Sequence, residues 1–316
     1  MSEQQPGGAP AEERAAEERA AEERGGTDRV SPERVAVRKT YKLYIGGAFP
    51  RSESGRSYPV AAARGKLLAH AAQASRKDVR DGVRAARSAF PGWSGATAYN
   101  RGQVLYRVAE LLEGRHAQFA DEVAAAEGVS AARARAVVDA AIDRWVYYAG
   151  WTDKFAQVVG ATDPVAGPYF TFSLPEPTGV VGVLAPQDSS LLGLVSVVAP
   201  VLATGNTAVV IASQNRPLPA VSLTEVLATS DVPGGVLNLL TGFTAELAPW
   251  LAAHRDVNAL DLTGAAPAAR ADLRAAAAET VKRVHVPRAT DWAAAPGLSR
   301  LRAFTEVKTV WHPVGV

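Results

Sequence analysis

The feature that most constrains this chain is the run from Thr178 to Val286, where apolar segments of strand length alternate with segments of helical period. "GVVGVLAP" is apolar throughout and is followed by "LLGLVSVVAPVLATG", with Gly205 placed to stop a helix. The pattern continues through "TAVVIAS", "LPAVSLTEVLATS", "GVLNLLTG", "TAELAPWLAAH", "NALDLTG", "AAPAARADLRAAAAETV" and "KRVHV". A strand that is apolar on both faces is buried on both, and parallel neighbours are joined by crossovers. The alternation therefore predicts an α/β fold, a Rossmann-like doubly wound parallel sheet of five strands. Ligands of such sheets lie at the carboxyl ends of the strands, so "PQDSS", "SQNRP", "TGF" and "TGAAP" are expected to line one crevice.

Ahead of the sheet the texture is helical. "YKLYIGGAF" (Tyr41 to Phe49) alternates into a Gly-Gly turn, the mark of a hairpin. Ser75 with Asp78 three residues later forms a capping box, and Val79, Val83, Ala86 and Phe90 repeat at helical spacing. "GQVLYRVAELLEGRHAQFADEVAAAEG" and "SAARARAVVDAAIDRWVYYAGWTDKF" keep that period, so an N-terminal helical layer is expected. Residues 11–24, "AEERAAEERAAEER", distribute acids and arginines around a helix and can bury only alanine methyls, the composition of a solvated tail or of a docking tag. At the other end, "TVKRVHVPRATDWAAAPGL" reads as a short buried strand (Val284, Val286) that meets a proline and then a small-residue linker. The expected organisation is a charged, disordered tail over 1–38, a cofactor-type domain over 39–290, and a linker with a terminal strand over 291–316.

Composition removes several chemistries. With no cysteine there is no disulfide, no thiolate metal site and no cysteine nucleophile. His70, His116, His254, His285 and His312 are scattered without metal-ligand spacing, so no metal is expected. Thirty-four Lys and Arg against 32 Asp and Glu leave a net charge of +2, which points to neither nucleic acid nor an anionic membrane as a partner. The start "MSEQQPGGAP" has no signal-peptide pattern and no apolar run is long enough to span a bilayer, so a cytoplasmic location is expected.

The order "IGG", "AARSAFPGW", "NRGQVLYRVAELLE", "PTGVVGVLAP", "LATGNTAVV", "DVPGGVLNLLTG", "DLTGA" and "FTEVKTVW" resembles the aldehyde dehydrogenase superfamily, from about Tyr41 to Pro287 and again from about Leu301. The resemblance implies NAD(P)-dependent aldehyde oxidation through a cysteine thiohemiacetal, and then takes most of that implication away. The family's oxyanion-binding Asn corresponds to Asp188, whose carboxylate would repel an oxyanion. Its ribose-holding Lys and following Glu correspond to Ile211 and Gln214. Its "FTGS" motif reads Leu262, Thr263, Gly264, Ala265, with Ala269 at a second glycine position. Its general base corresponds to Pro287, and its nucleophilic cysteine has no counterpart.

On this resemblance the chain passes from the last cofactor-domain strand directly to the family's final segment and omits the catalytic domain. No catalytic residue is assigned. Pro186, Asp188, Ser213, Gln214, Thr263 and Gly264 are the candidates for any remaining contact with NAD or NADP, which is expected to be weak or absent. The family's oligomerisation strands correspond to "YFTFSLP", with Phe170, Phe172 and Leu174 on one face, and "FTEVKTVWH", with Val307 and Trp311 on one face. Three functions stay open. One is an inactive partner or regulatory subunit, in a homo- or hetero-oligomer with an aldehyde dehydrogenase. Another is a stand-alone nucleotide-binding or sensing module. The third is an oxidoreductase with new chemistry around Asp188, Ser189, Ser190 and Ser213, set against the plainer reading of Asp188 as a helix cap.

Overall fold

The computed structural model describes residues 37–287 and 290–315; the charged N-terminal repeat lies outside them. Strands β1 (Thr40–Tyr41), β2 (Ser57–Ala61) and β3 (Leu67–Ala72) form a small sheet. Helices α1 (Arg76–Gly95), α2 (Ala98–Glu113), α3 (His116–Glu127), α4 (Ala131–Ala149) and α5 (Phe155–Val159) follow. Strands β4 (Ala161–Thr162) and β5 (Tyr169–Pro177) lead into the alternating region. That region comprises β6 (Val180–Leu184), α6 (Leu192–Ala203), β7 (Thr207–Ile211), α7 (Leu218–Leu227), β8 (Leu237–Leu240), α8 (Thr244–Ala253), β9 (Ala259–Asp261), α9 (Arg270–Ala278) and β10 (Arg283–His285). Helix α10 (Ser299–Ala303) and strand β11 (Thr305–Pro313) end the described chain.

The five strands from β6 to β10 form one parallel sheet in the order β10-β9-β6-β7-β8, as the alternation predicts. Every residue of β6 and β7 is buried, and successive side chains enter different cores. Val181, Val183, Ala208 and Val210 meet the cluster built from α2, α3, α4, α6 and α7. Val180, Leu184, Val209 and Ile211 meet the cluster built from α1, α8 and α9. Period 2 on two buried faces is why these strands read as unbroken apolar runs. Ile211, at the family's lysine position, is a core residue. Gly182 is the exception among them, because a Cβ there would come within 2.9 Å of Leu251 on α8.

Two local expectations change. The Gly-Gly turn forms, with Gly46 and Gly47 both at positive φ, but its arms make one bridge, Ile45 to Ala48. Tyr44 instead exchanges both backbone hydrogen bonds with Leu239 (3.0 and 2.7 Å), extending the sheet beside β8. The final strand β10 is a three-residue edge paired to β9 alone; Val284 is half-buried and Val286 lies beyond it, 39% exposed.

The capping box at α1 is present and does more than cap. The buried Asp78 carboxylate accepts from the Ser75 amide (2.7 Å), the Ser52 hydroxyl (2.8 Å) and the Glu53 amide (3.1 Å). It thereby fastens the chain before β2 to the start of α1. Ser75→Ala is expected to cost about 1 kcal/mol. Asp78→Ala strands several donors and is expected to cost on the order of 2–4 kcal/mol; urea unfolding followed by circular dichroism ranks the two variants.

Candidate functional site

The sheet order reverses between β6 and β9, which opens a crevice at their carboxyl ends. Its geometry depends on one glycine. The Gly264 amide donates to the Leu184 carbonyl (2.8 Å), and a Cβ at Gly264 would stand 1.9 Å from the Ala185 oxygen. Gly264 lets the loop after β9 lie against the loop after β6, so its necessity is structural before it concerns any ligand. Beside this contact is a cleft of about 710 Å³, bounded by α8 and α9 and lined from three of the four expected loops, with Thr244 and Ala245 of α8 lining it where the "TGF" loop was expected.

Of the candidate residues, Asp188, Gln214, Thr263 and Gly264 line the cleft. Pro186 and Ser213 do not: Pro186 packs against Gly193 in the first turn of α6, and the buried Ser213 hydroxyl turns to Gln187 Oε1 (3.4 Å). The residue that organises the floor is Gln187. Its Oε1 also accepts from the Gln214 amide (2.9 Å) while its Nε2 donates to the Ala185 carbonyl (2.9 Å), joining the first two strand-end loops. Only its place in "PQDSS" signals it in the sequence.

The capping reading of Asp188 is overturned. Ser189 Oγ accepts from the Gly193 amide (2.9 Å), and the Asp188 carboxylate faces the Trp292 indole N–H at 3.4 Å to each oxygen. The hydroxyl cluster is dispersed as well. Ser190 gives its amide and hydroxyl to Glu127 Oε1 (2.7 Å each), so it serves the contact with α3.

The segment expected to be a linker instead packs back over the strand ends. Buried Arg144 on α4 donates to the carbonyls of Trp292 and Ala294 (3.0 Å each) and to Ser196 Oγ (2.9 Å). Arg300 on α10 forms a buried ion pair with Asp261 (2.7 Å) and reaches Thr263 Oγ1 (3.3 Å). Asp261, fully buried at the end of β9, also accepts from the Thr263 amide (2.9 Å) and hydroxyl. The Arg300 guanidinium lies 5.7 Å from the Trp292 ring centroid. Asp261 and Arg300 carry no periodic signal and were not anticipated.

This is a fold of the Rossmann-like, NAD-binding type with its crevice at the switch point. The chain belongs to the aldehyde dehydrogenase family, whose model matches residues 50–287. It is 33% identical over 251 residues to the mitochondrial benzaldehyde dehydrogenase of Antirrhinum majus, covering 77% of this chain and 46% of that protein. With human retinal dehydrogenase 2 the identity is also 33% over 251 residues, covering 78% and 48%. Among solved structures, the NAD+ complex of the Bacillus cereus aldehyde dehydrogenase superposes with a TM-score of 0.73 at 27% identity, over 78% of this chain and 50% of that one. The NAD-dependent aldehyde dehydrogenase of Sinorhizobium meliloti gives 0.71 at 27%, over 80% and 51%. The chain spans about half the length of these relatives.

The cleft supplies no side-chain cation for a dinucleotide's diphosphate. Its charged lining residues are two acids, Asp188 and Asp272, with no Lys, Arg or His among them. A diphosphate carries negative charge and is ordinarily met by cations or unopposed backbone amides.

Arg300→Met leaves a buried carboxylate without its cation and is expected to lower stability by about 3–5 kcal/mol in urea; adding Asp261→Asn recovers part of the loss. Burial pulls the His285 imidazole below its ordinary value of 6.5, with Asp261 opposing and Arg300 reinforcing that shift. The unfolded chain then takes up the proton first, so His285 contributes stability above about pH 6.5 that is lost on acidification. The urea midpoint of His285→Asn is expected to fall less than wild type between about pH 7 and 5.

Proposed function

We propose that this chain is a catalytically inactive member of the aldehyde dehydrogenase family that joins a full-length member by strand addition. The observation that carries the reading is the ribbon formed by β5 and β11. The two strands pair antiparallel along nine residues each, with β4 on the far side of β5, and among the described residues nothing pairs with the outer edge of β11. An unpaired edge of that length is a template for another strand.

Both faces of the ribbon offer apolar contact. Register places Tyr169, Val307 and Trp311 on one face and Phe170, Phe172 and Leu174 on the other. Val307 is 69% exposed, Trp311 57% and Phe170 51%, whereas Phe172 is half-buried. The ribbon has a firm base: buried Asn206 accepts from the Gly179 amide and donates to the Phe304 carbonyl (2.8 Å each). The absence of any cysteine, and Pro287 where the resemblance implies a general base, support the inactive half of the reading. The cleft supports a second function, a small-molecule binding module, which is compatible with assembly.

Co-expression with a full-length aldehyde dehydrogenase of the same source tests assembly. A stoichiometric complex is expected, lost in the Val307→Lys, Trp311→Lys double variant, while the chain alone oxidises aldehydes at background rate. A chain that stays apart from every such enzyme, or that turns over aldehyde by itself, refutes the proposal.

A further inference from the structure

We propose that a pocket at the amino ends of β6, β9 and β10, the end of the sheet opposite the switch point, binds a small monoanion that bears a carboxylate. The pocket has a volume of about 400 Å³ and is lined by Thr178, Asn258, Val281, Lys282, Arg283 and Glu306. Lys282 is the residue that singles it out. Among the described residues three bases are buried, Arg144, Lys282 and Arg300. Arg144 meets three oxygens, and Arg300 meets Asp261 and Thr263. The Lys282 ammonium donates to the Thr280 hydroxyl and makes no ion pair among the described residues. Burial pulls it below its ordinary value of 10.5, with Glu279 opposing the shift. A buried charge without a counter-charge is costly, and a bound anion would supply one.

The turn that places Lys282 there carries a cost of its own. After α9 the chain takes a left-handed conformation at Val281 (φ 54°), which glycine adopts freely and a β-branched residue rarely does, and Val281 is 91% exposed. The Lys282 amide closes that turn by donating to the Ala277 carbonyl (3.1 Å). Backbone strain of this kind collects at binding sites. Two neutral donors complete the pocket. Thr178 Oγ1 is buried and has no hydrogen-bond partner. Asn258 Oδ1 is taken by the Val180 amide (3.0 Å) and by Arg87, which leaves the side-chain nitrogen unpartnered among the described residues. The other two charges on the lining cancel, because Arg283 holds Glu306 through Nε (3.1 Å) and Nη2 (2.7 Å). One uncompensated ammonium, one hydroxyl and one amide match the two oxygens of a carboxylate. A phosphate dianion would bring a second negative charge up to Glu306.

Calorimetry on the isolated full chain tests this with benzoate, its neutral isostere benzamide, and inorganic phosphate at about pH 8, where phosphate is mostly a dianion. The measurement needs no partner enzyme, so its outcome is separate from that of the assembly proposal. Benzoate is expected to bind below about 1 mM, with benzamide and phosphate each at least about tenfold weaker. Lys282→Met removes the ammonium and keeps an apolar stem, and it is expected to abolish benzoate binding while leaving that of benzamide nearly unchanged. Thr178→Val keeps the shape of the side chain and is expected to weaken benzoate about fivefold, which decides the matter if Lys282→Met does not fold. Benzamide or phosphate binding as tight as benzoate, no benzoate binding below about 10 mM, or benzoate binding unchanged by these substitutions each overturns the inference.

Discussion

The close approach of the loop after β9 to the loop after β6 is the contact on which the rest of the molecule depends. At Gly264 the two loops touch backbone to backbone, within a distance that admits no Cβ. That approach brings β9 alongside β6, so β9 and β10 continue the sheet on the side away from β7 and the order reverses where the crevice opens. With a side chain at 264 the loops would have to part, and Asp261, Thr263 and the cleft wall would move with them. Fold and site therefore share one steric constraint, which is why a glycine that looks like part of a ligand motif is first a packing residue.

What the sequence shows clearly is whatever has a period. Strands β6 to β9 sit where the apolar runs lie, and the Ser75–Asp78 box begins α1, because burial on two faces and helix capping both leave local patterns. Ser213, Pro186 and Asp188 show the limit. Each stands in the expected loop, yet only Asp188 faces the cleft, and Ser213 is turned to Gln187, a residue whose role depends on where two loops meet in space. Arg144, Arg300 and Trp292 are separated by over a hundred residues or lie in a stretch that reads as linker, and their pairing is a product of tertiary closure. The ribbon divides the same way: alternation in β5 and β11 was visible, but only the register reveals that their apolar sets occupy opposite faces.

Asp261 illustrates how a strand end can keep a charge without using it for chemistry. A carboxylate removed from water is tolerated when its oxygens are fully met, and here the Thr263 amide and hydroxyl take one oxygen while Arg300 takes the other. Those contacts consume the Thr263 hydroxyl and the only cation in direct contact with this strand end among the described residues. Trp292 then meets Asp188 in the same manner. What is left without a hydrogen bond on the cleft lining, among the described residues, is the Gln214 side-chain amide, the Thr244 hydroxyl and the exposed Asp272 carboxylate.

That distribution separates two properties that the fold could have kept together. Stability at the end of β9 comes from pairing its buried charge internally, whereas catalysis would require charges held ready for a guest, at a cost in folding free energy. Here the segment from Trp292 to Arg300 supplies the internal partners, with Arg144 fastening its backbone to α4. Exposed large apolar side chains stand on the β5–β11 ribbon, which is anchored to the domain through Asn206. Unsatisfied capacity in a folded protein marks where it meets something else. In this chain the satisfied interior argues for a stable scaffold, and the open strand edge of β11 is the place left for a partner.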